Sequence, residues 1–575
     1  MKRNFKNHAV VGVCALGLIG LNSCQVDDAY DLDKEIDKTI TVGGDLTFPT
    51  SSTDNMMLKD LLEIEDGSAV VTDEEGNYIL QQAGSSNSTE IDIPGVTIST
   101  EGGFSGVEVE GLSNPSGSNI TIPDNTSIGI DENIAIDINS DGITSVLKEL
   151  VSVNTNCLNT KVVVRLSKTG YADISAKMSD FEVEFPEFMT IETQDENWEV
   201  TEGRILTLKN EGSSFSESVE IPVNITKIDF EKNGAEYIYN SNVKDNNVIS
   251  LNGGIVLKGD IALEGSMGSG ASVSLKIDVE SESIDVNKVT AVVDPEVNIE
   301  IDDMNITDIP DFLNDENVAI ELTDPRLFFT VTNPSPIEVK FGAVLTPVKT
   351  GMDNLESVQI KDITIPAGCS NYVICIHQNA GMDGDIQADS KVVVENLNSI
   401  IRNIPEKIQV SNVEVKLPEE AISIETGKHY DLATAYEVKT PLMFSEGTEI
   451  VYTETMDGWG SDLEDIEFNT VEATMTVDNQ LPLGVKIDAV AVDNAGNALS
   501  NVNVDINMDI KAGAKSDVNI TVSTTDGSIK GLDGLKLTVT ATGSGETSGV
   551  CLNENQYIKI DNLKLKLKGG ITMEL

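Results

Sequence analysis

Thr330-Val331-Thr332-Asn333-Pro334-Ser335-Pro336-Ile337-Glu338-Val339-Lys340-Phe341-Gly342-Ala343-Val344 reads as two alternating strands joined through Asn-Pro. The run returns 146 positions later, without a gap, as Thr476-Val477-Asp478-Asn479-Gln480-Leu481-Pro482-Leu483-Gly484-Val485-Lys486-Ile487-Asp488-Ala489-Val490. Thr, Val, Asn, Pro, Val, Lys, Ala and Val coincide in order. Asn tolerates turn geometry and Pro fixes φ, so the join is a corner between two strands. Further on, Ile365-Pro366-Ala367-Gly368 matches Ile510-Lys511-Ala512-Gly513. A period this long is a whole domain, because solenoid units run to roughly 20–50 residues.

Working outward, the same period-two pattern recurs along the chain, as in Val297-Asn298-Ile299-Glu300-Ile301-Asp302, Val502 to Ile510 and Leu563 to Lys568. Alternation of this kind marks sheets with one buried and one wet face. Gly, Asn and Asp clusters such as Asp73-Glu74-Glu75-Gly76-Asn77 punctuate it at short spacing. Helical spacing is brief, over Met57 to Ile64, Thr144 to Val151 and Leu397 to Ile404. The fold class expected is therefore all-β, with tandem antiparallel immunoglobulin-like β-sandwich domains. A third, diverged copy is expected upstream: Val256 to Ile261 matches Lys566 to Ile571, with Cys157 to Leu166 as its early strand.

The first residues carry an address. Lys2, Arg3 and Lys6 precede an apolar run from Ala9 to Leu21, too short to span a bilayer. Leu21-Asn22-Ser23-Cys24 resembles the lipobox of bacterial lipoproteins, which implies cleavage before Cys24 and acylation of its thiol and amine. Two or three acyl chains anchor far more stably than one. Gln25-Val26-Asp27-Asp28 resembles the export signal of surface-exposed lipoproteins in the Bacteroidota, with Gln25, Asp27 and Asp28 on its defining positions. The expected partner is a membrane, through the lipid on Cys24, and the expected location is the outer membrane, facing out. The organisation expected is signal peptide 1–23, acidic tether 24–44, N-terminal β-rich module 45–127, diverged sandwich repeat 128–275, and sandwich repeats 276–425 and 426–575.

Charge narrows the function. The chain has 575 residues and a formal charge of −58, which becomes −61 once the three cations of the first 23 residues are removed. A field of that sign repels nucleic acid, so no nucleic-acid partner is expected. Beyond the signal peptide and Cys24, the cysteines are Cys157, Cys369, Cys375 and Cys551, which allow three full pairings. Cys369 and Cys375 share one expected strand and sit too far apart to join each other.

Catalytic signatures are sparse. There is no H-E-x-x-H and no G-x-S-x-G. Gly265-Ser266-Met267-Gly268-Ser269-Gly270 lies between strands and reads as a hairpin loop. His377 and His429 are the histidines of the mature chain, and His377 is expected at the rim of a strand. The catalytic set expected is none. Asp137-Ile138-Asn139-Ser140-Asp141-Gly142 fits the first six positions of a calcium loop, making Asp137, Asn139 and Asp141 candidate ligands, although Lys148 stands at the twelfth position. Calcium is the one cofactor with a candidate site. Trp198 and Trp459 are the only tryptophans and the candidate ligand-contact rings.

The strand-Asn-Pro-strand pattern with its later Ile-x-Ala-Gly resembles the water-stress domain of type-2 late-embryogenesis-abundant proteins, over about 60 residues in each of two copies. That resemblance implies a small antiparallel sandwich and supplies no catalytic residues. The function expected is a non-catalytic binding or structural lipoprotein, adhesin-like, with an unknown protein or glycan partner. The alternatives are glycan capture for a nutrient importer, favoured by exposed aromatics on one loop face, and a carboxylate-dependent hydrolase, favoured by a pocket holding two acids of raised pKa.

Overall fold

The computed structural model describes residues 39–574 apart from 43, 50–51, 63, 65–66, 116, 211, 213, 300, 311–312, 314–317, 459–465, 508, 526, 530 and 569–570. Cys24, Gln25, Asp27, Asp28 and Trp459 lie outside the described residues.

The chain is all-β, as the alternation requires. Among the described residues, six of its seven sheets pair into three sandwiches, the seventh being the small sheet of Thr39–Val42, Ile571–Glu574 and Ile466–Glu467; the one parallel contact is Cys369–His377 against Ser390–Val393. The first sandwich joins an eight-stranded sheet built around Leu147–Thr169 to a seven-stranded sheet built around Asn247–Met267. The middle one joins a six-stranded sheet around Arg326–Asn333 and Lys428–Pro441 to a four-stranded sheet around Val339–Val348. Phe329 and Phe341 meet edge-to-face between those two sheets, with centroids 6.0 Å apart. The third joins a six-stranded sheet around Thr470–Asn479 to the three strands Glu449–Met456, Gly534–Gly543 and Leu483–Val492. A separate apolar core fills it, including Val471, Met475, Ile487, Val518, Leu537 and Ile560.

The sandwiches are nested, not strung in sequence order. Leu46–Pro49 pairs with Tyr557–Lys568 and so completes the sandwich that ends the chain, while Thr39–Val42 pairs with Ile571–Glu574 in the small separate sheet. Met56–Met57 adds to the same Tyr557–Lys568 strand. Tyr78–Ile93 then runs beside Lys428–Pro441 in the middle sandwich, from Lys428↔Ile93 to Pro441↔Ile79. Only from Val96 does the chain build the first sandwich, before returning through the middle one to the third. The span 45–127 is therefore not a module of its own: its strands are shared among all three sandwiches. Ile284–Val293 and Ile422–Glu425, both placed by sequence in the repeat 276–425, pair with each other in the eight-stranded sheet of the first sandwich.

The repeat is real and its pivot is asparagine. Asn333 and Asn479 are fully buried. The Asn333 amide donates to the Ile337 carbonyl at 2.8 Å and the Pro366 carbonyl at 3.1 Å. The Asn479 amide donates to Leu483 at 2.8 Å and Lys511 at 3.0 Å, the matching positions. Each Oδ1 accepts from the backbone N–H two residues on, Ser335 and Leu481. These bonds replace ladder bonds that the chain gives up as it crosses from one sheet to the other.

The third copy exists, but not where the sequence placed it. Asn114 of Asn114-Pro115 donates to Ser118 four residues on, at 2.9 Å, and to Met267 and Gly268 at 3.2 and 2.9 Å. After each of these contacts a glycine takes positive φ: Gly270 at 74°, Gly368 at 64° and Gly513 at 61°. The contact from Asn114 to Gly268 spans 154 residues, where its counterparts span 33 and 32. That insertion hides the copy from a fixed-offset comparison. Val256 to Ile261 lies in mid-strand instead. Asn333→Ala or Asn479→Ala strands a buried carbonyl (Ile337 or Leu483) and a buried N–H (Ser335 or Leu481), each at about 1–3 kcal/mol, so a loss of roughly 2–6 kcal/mol is expected in urea melts. A loss near zero would mean the clasp is dispensable.

Two expected helices are found, and both are short: Leu58–Leu62, and a 3-10 turn at Leu397–Ile400. The third, Thr144 to Val151, is a turn that runs into the strand Leu147–Thr169. Leu147, Leu150 and Val153 are all buried at a spacing of three, because bulges between Leu147 and Glu149 and between Leu150 and Ser152 shift the register against Ile284–Val293. A helix-like spacing was thus produced by a twice-bulged strand.

Candidate functional site

The candidate calcium residues sit within the strand Ser127–Ile143, not in a loop. Asp137, Asn139 and Asp141 alternate outward with buried Ile138 and Ser140. Extended backbone spaces such side chains about 6.8 Å apart along the strand, where a calcium loop would converge them. Asn139 donates to Asp137 Oδ1 at 2.9 Å and accepts from Ser250 Oγ at 2.9 Å. Among the described residues no group of three metal-ligating side chains gathers. Trp198 is also corrected: it is 6 % exposed and packs edge-to-face on Phe181, centroids 6.3 Å apart, so its ring belongs to the core.

Sequence reading missed a buried constellation of chemistry-bearing side chains in the middle sandwich. His377 is fully buried, not at a rim, and Asp324 beside it is fully buried too. Asp324 Oδ1 accepts from His377 Nδ1 at 3.2 Å and from the Gln378 and Asn379 backbone N–H groups at 3.1 and 2.8 Å. Its Oδ2 accepts from Arg326 Nε at 2.8 Å. A carboxylate only accepts, so Nδ1 carries the imidazole proton. The other nitrogen, Nε2, lies 3.1 Å from Asp383 Oδ1 but lacks the alignment of a hydrogen bond. The cluster ties the turn Ala380–Asp385 to the strand that ends at His377. An Asp–His pair can move protons only where its free nitrogen meets a substrate, and this ring is enclosed. The only signal in the sequence was Asp-Pro-Arg ahead of a strand. His429 is the exposed histidine, 3.0 Å from Asp92.

The described thiols are free, and two are inert. Burial pushes Cys375 up to about 12 and Cys551 up to about 11. Iodoacetamide at pH 8 should leave both unmodified in the folded chain and label both in urea, as read by peptide mass. Labelling of Cys375 at an ordinary rate in the native protein would contradict its burial.

Surface carboxylates with displaced pKa values are held ionised. The Ser145 backbone N–H lowers Asp245, Arg165 lowers Glu280, and Lys568 lowers Glu472. A general acid needs the opposite shift.

The outer face of the four-stranded sheet carries a depression of about 230 Å³. Lys340, Lys361, Lys416, Asp362, Gln359 and Asn412 are among its walls. Bulges on both sides of Gly342 dent the sheet here. Asp362 and Asn412 take φ of 52° and 49°, and a Cβ on Gly342 would lie 2.9 Å from the Ile360 carbonyl oxygen. Lys416 reaches Asp362 at 2.9 Å and Lys340 reaches Glu338 at 3.4 Å.

No helix among the described residues is long and apolar enough to cross a membrane. No known family and no curated protein matches the chain, so the water-stress resemblance gains no support. Matching solved structures include a candidate secreted protein from Parabacteroides distasonis ATCC 8503, 18% identical over 49% of this chain and 83% of that one, with a TM-score of 0.35. Another is the triple jelly-roll turret protein of an archaeal virus, 9% identical over 80% of this chain and 91% of that one, with a TM-score of 0.11. At these scores the functional reading rests on this chain's own residues.

Proposed function

We propose that the chain is a non-catalytic lipoprotein of the outer membrane, anchored through Cys24, that holds its first sandwich away from the cell. The observation that carries this reading is the pairing of Thr39–Val42 with Ile571–Glu574. Fourteen residues separate Cys24 from Thr39, so the small sheet of Thr39–Val42 and Ile571–Glu574, next in sequence to the last strand of the third sandwich, lies within about 50 Å of the lipid. The third contacts the middle through the Met443–Cys551 and Asn77–Asn553 bridges, and the middle reaches the first through Ile422–Glu425. The sandwich completed first in sequence is therefore the one farthest from the anchor along this chain of contacts.

Among the described residues the exposed tyrosines are dispersed: Tyr171 and Tyr239 flank opposite ends of the strand Asn247–Met267, beside Ala172↔Met267 and Ile238↔Val248, and Tyr452 lies in Glu449–Met456 of the third sandwich. The test is protease shaving of intact cells with a periplasmic control, alongside labelled palmitate. Surface trimming, with label lost in Cys24→Ala, supports the reading. Protection until the envelope is broken overturns the outward-facing part, and label retained in Cys24→Ala overturns the anchor.

A further inference from the structure

We propose that the depression on the four-stranded sheet of the middle sandwich binds a small oxyanion group, a carboxylate or sulfate, either free or carried on one acidic sugar. Charge is the first argument. The chain holds 96 acidic and 38 basic residues, but three lysines and two acids, Asp362 and Glu414, line this recess. With Glu338, which reaches Lys340, the recess is locally balanced, whereas the surface as a whole is strongly negative, so an anion is repelled less here than elsewhere.

Register is the second argument. Lys340 and Lys416 are direct cross-strand partners. Like charges placed opposite each other destabilise a sheet unless an anion lies between or beside them. Asp362 serves Lys416 and Glu338 serves Lys340. Lys361 has no carboxylate within ion-pair distance among the described residues.

Edge protection is the competing account, since Val358–Ile365 is an edge strand and a lysine with a bulge discourages pairing there. That explains Lys361 and Asp362. It does not explain Lys340, which is paired on one side with Thr364 and on the other with Lys416. Bulges re-aim side chains, and here two of them flank one glycine, with all three lysines among the recess walls. The recess admits a single small group and not an extended chain. Lys416 holds the Asp362 carboxyl below its ordinary range, so the floor stays charged and the incoming group must bind beside Asp362, toward Lys361 and Lys340.

The experiment is calorimetric titration of the full chain with sodium sulfate, glucuronate and glucose at constant ionic strength. Sulfate or glucuronate is expected to saturate, with dissociation constants on the order of millimolar. Lys361→Gln and Lys340→Gln should each weaken binding about fivefold or more, and Lys361→Arg should retain it, while thermal melts stay unchanged. Glucuronate binding well above sulfate assigns the site to an acidic sugar; equal binding assigns it to a free anion. No saturation with either anion, binding indifferent to both lysine variants, or equal binding of glucose overturns the proposal.

Discussion

Deleting residues 39–93 is expected to unfold the middle sandwich and leave the first intact. The deleted segment contributes Tyr78–Ile93, whose register on Lys428–Pro441 runs the length of that strand. Leu80 and Ile91 are fully buried and Ile93 nearly so. Burying a side chain of this size contributes about 1.5–3 kcal/mol, so these three alone account for roughly 5–9 kcal/mol. Whole domains are stable by only about 5–15 kcal/mol. The third sandwich loses Leu46–Pro49 and Met56–Met57 from Tyr557–Lys568 in the same step. The first sandwich begins its own pairing at Val96 and keeps it. Hydrogen exchange should show protection retained over 107–280 and lost over 326–441. Protection retained in both regions would mean that residues 45–93 are a dispensable module after all.

The second large effect is expected from Asp324→Ala. The substitution leaves the Arg326 guanidinium, 11 % exposed, without its carboxylate, and removes the acceptor of His377 and of two backbone N–H groups. Breaking a buried ion pair by removing one partner costs about 3–5 kcal/mol, because the other charge stays buried. For a unit of 150–250 residues, that lowers the melting temperature by roughly 6–20 °C. Asp324→Asn keeps an acceptor for the backbone but not the charge, so it should fall between. A loss below about 1 kcal/mol in Asp324→Ala would mean that water reaches the cluster and replaces the carboxylate.

Local pattern was the legible part. Alternation in stretches such as Val502 to Asn507 named the strands, and the Asn-Pro corner named the pivot of the repeat. Partnership was not legible, because a strand's period states which face is buried and not which strand lies beside it. Leu46–Pro49 carries nothing that points more than 500 residues ahead to Tyr557–Lys568. The same limit applies to the cluster at His377, whose carboxylate comes from a different strand's approach and is 53 residues away in sequence. Asp137 to Gly142 shows the opposite error: a motif judged by residue type matched, while the backbone beneath it was strand. Leu147, Leu150 and Val153 show why spacing alone misleads, since bulges let a strand bury every third residue.

Oxidative cross-linking of Thr47→Cys with Lys566→Cys tests the nested arrangement most directly. These residues are Cα partners on neighbouring strands, within the reach of a disulfide. Glu472→Cys with Lys566→Cys is the matched control, since Glu472 and Lys566 are partners on the other side of the same strand. The arrangement predicts that both pairs link in high yield in the native chain, as read by peptide mass. Linkage of the control pair without linkage of Thr47→Cys to Lys566→Cys would contradict it, and would release the third sandwich from its place beside the anchor.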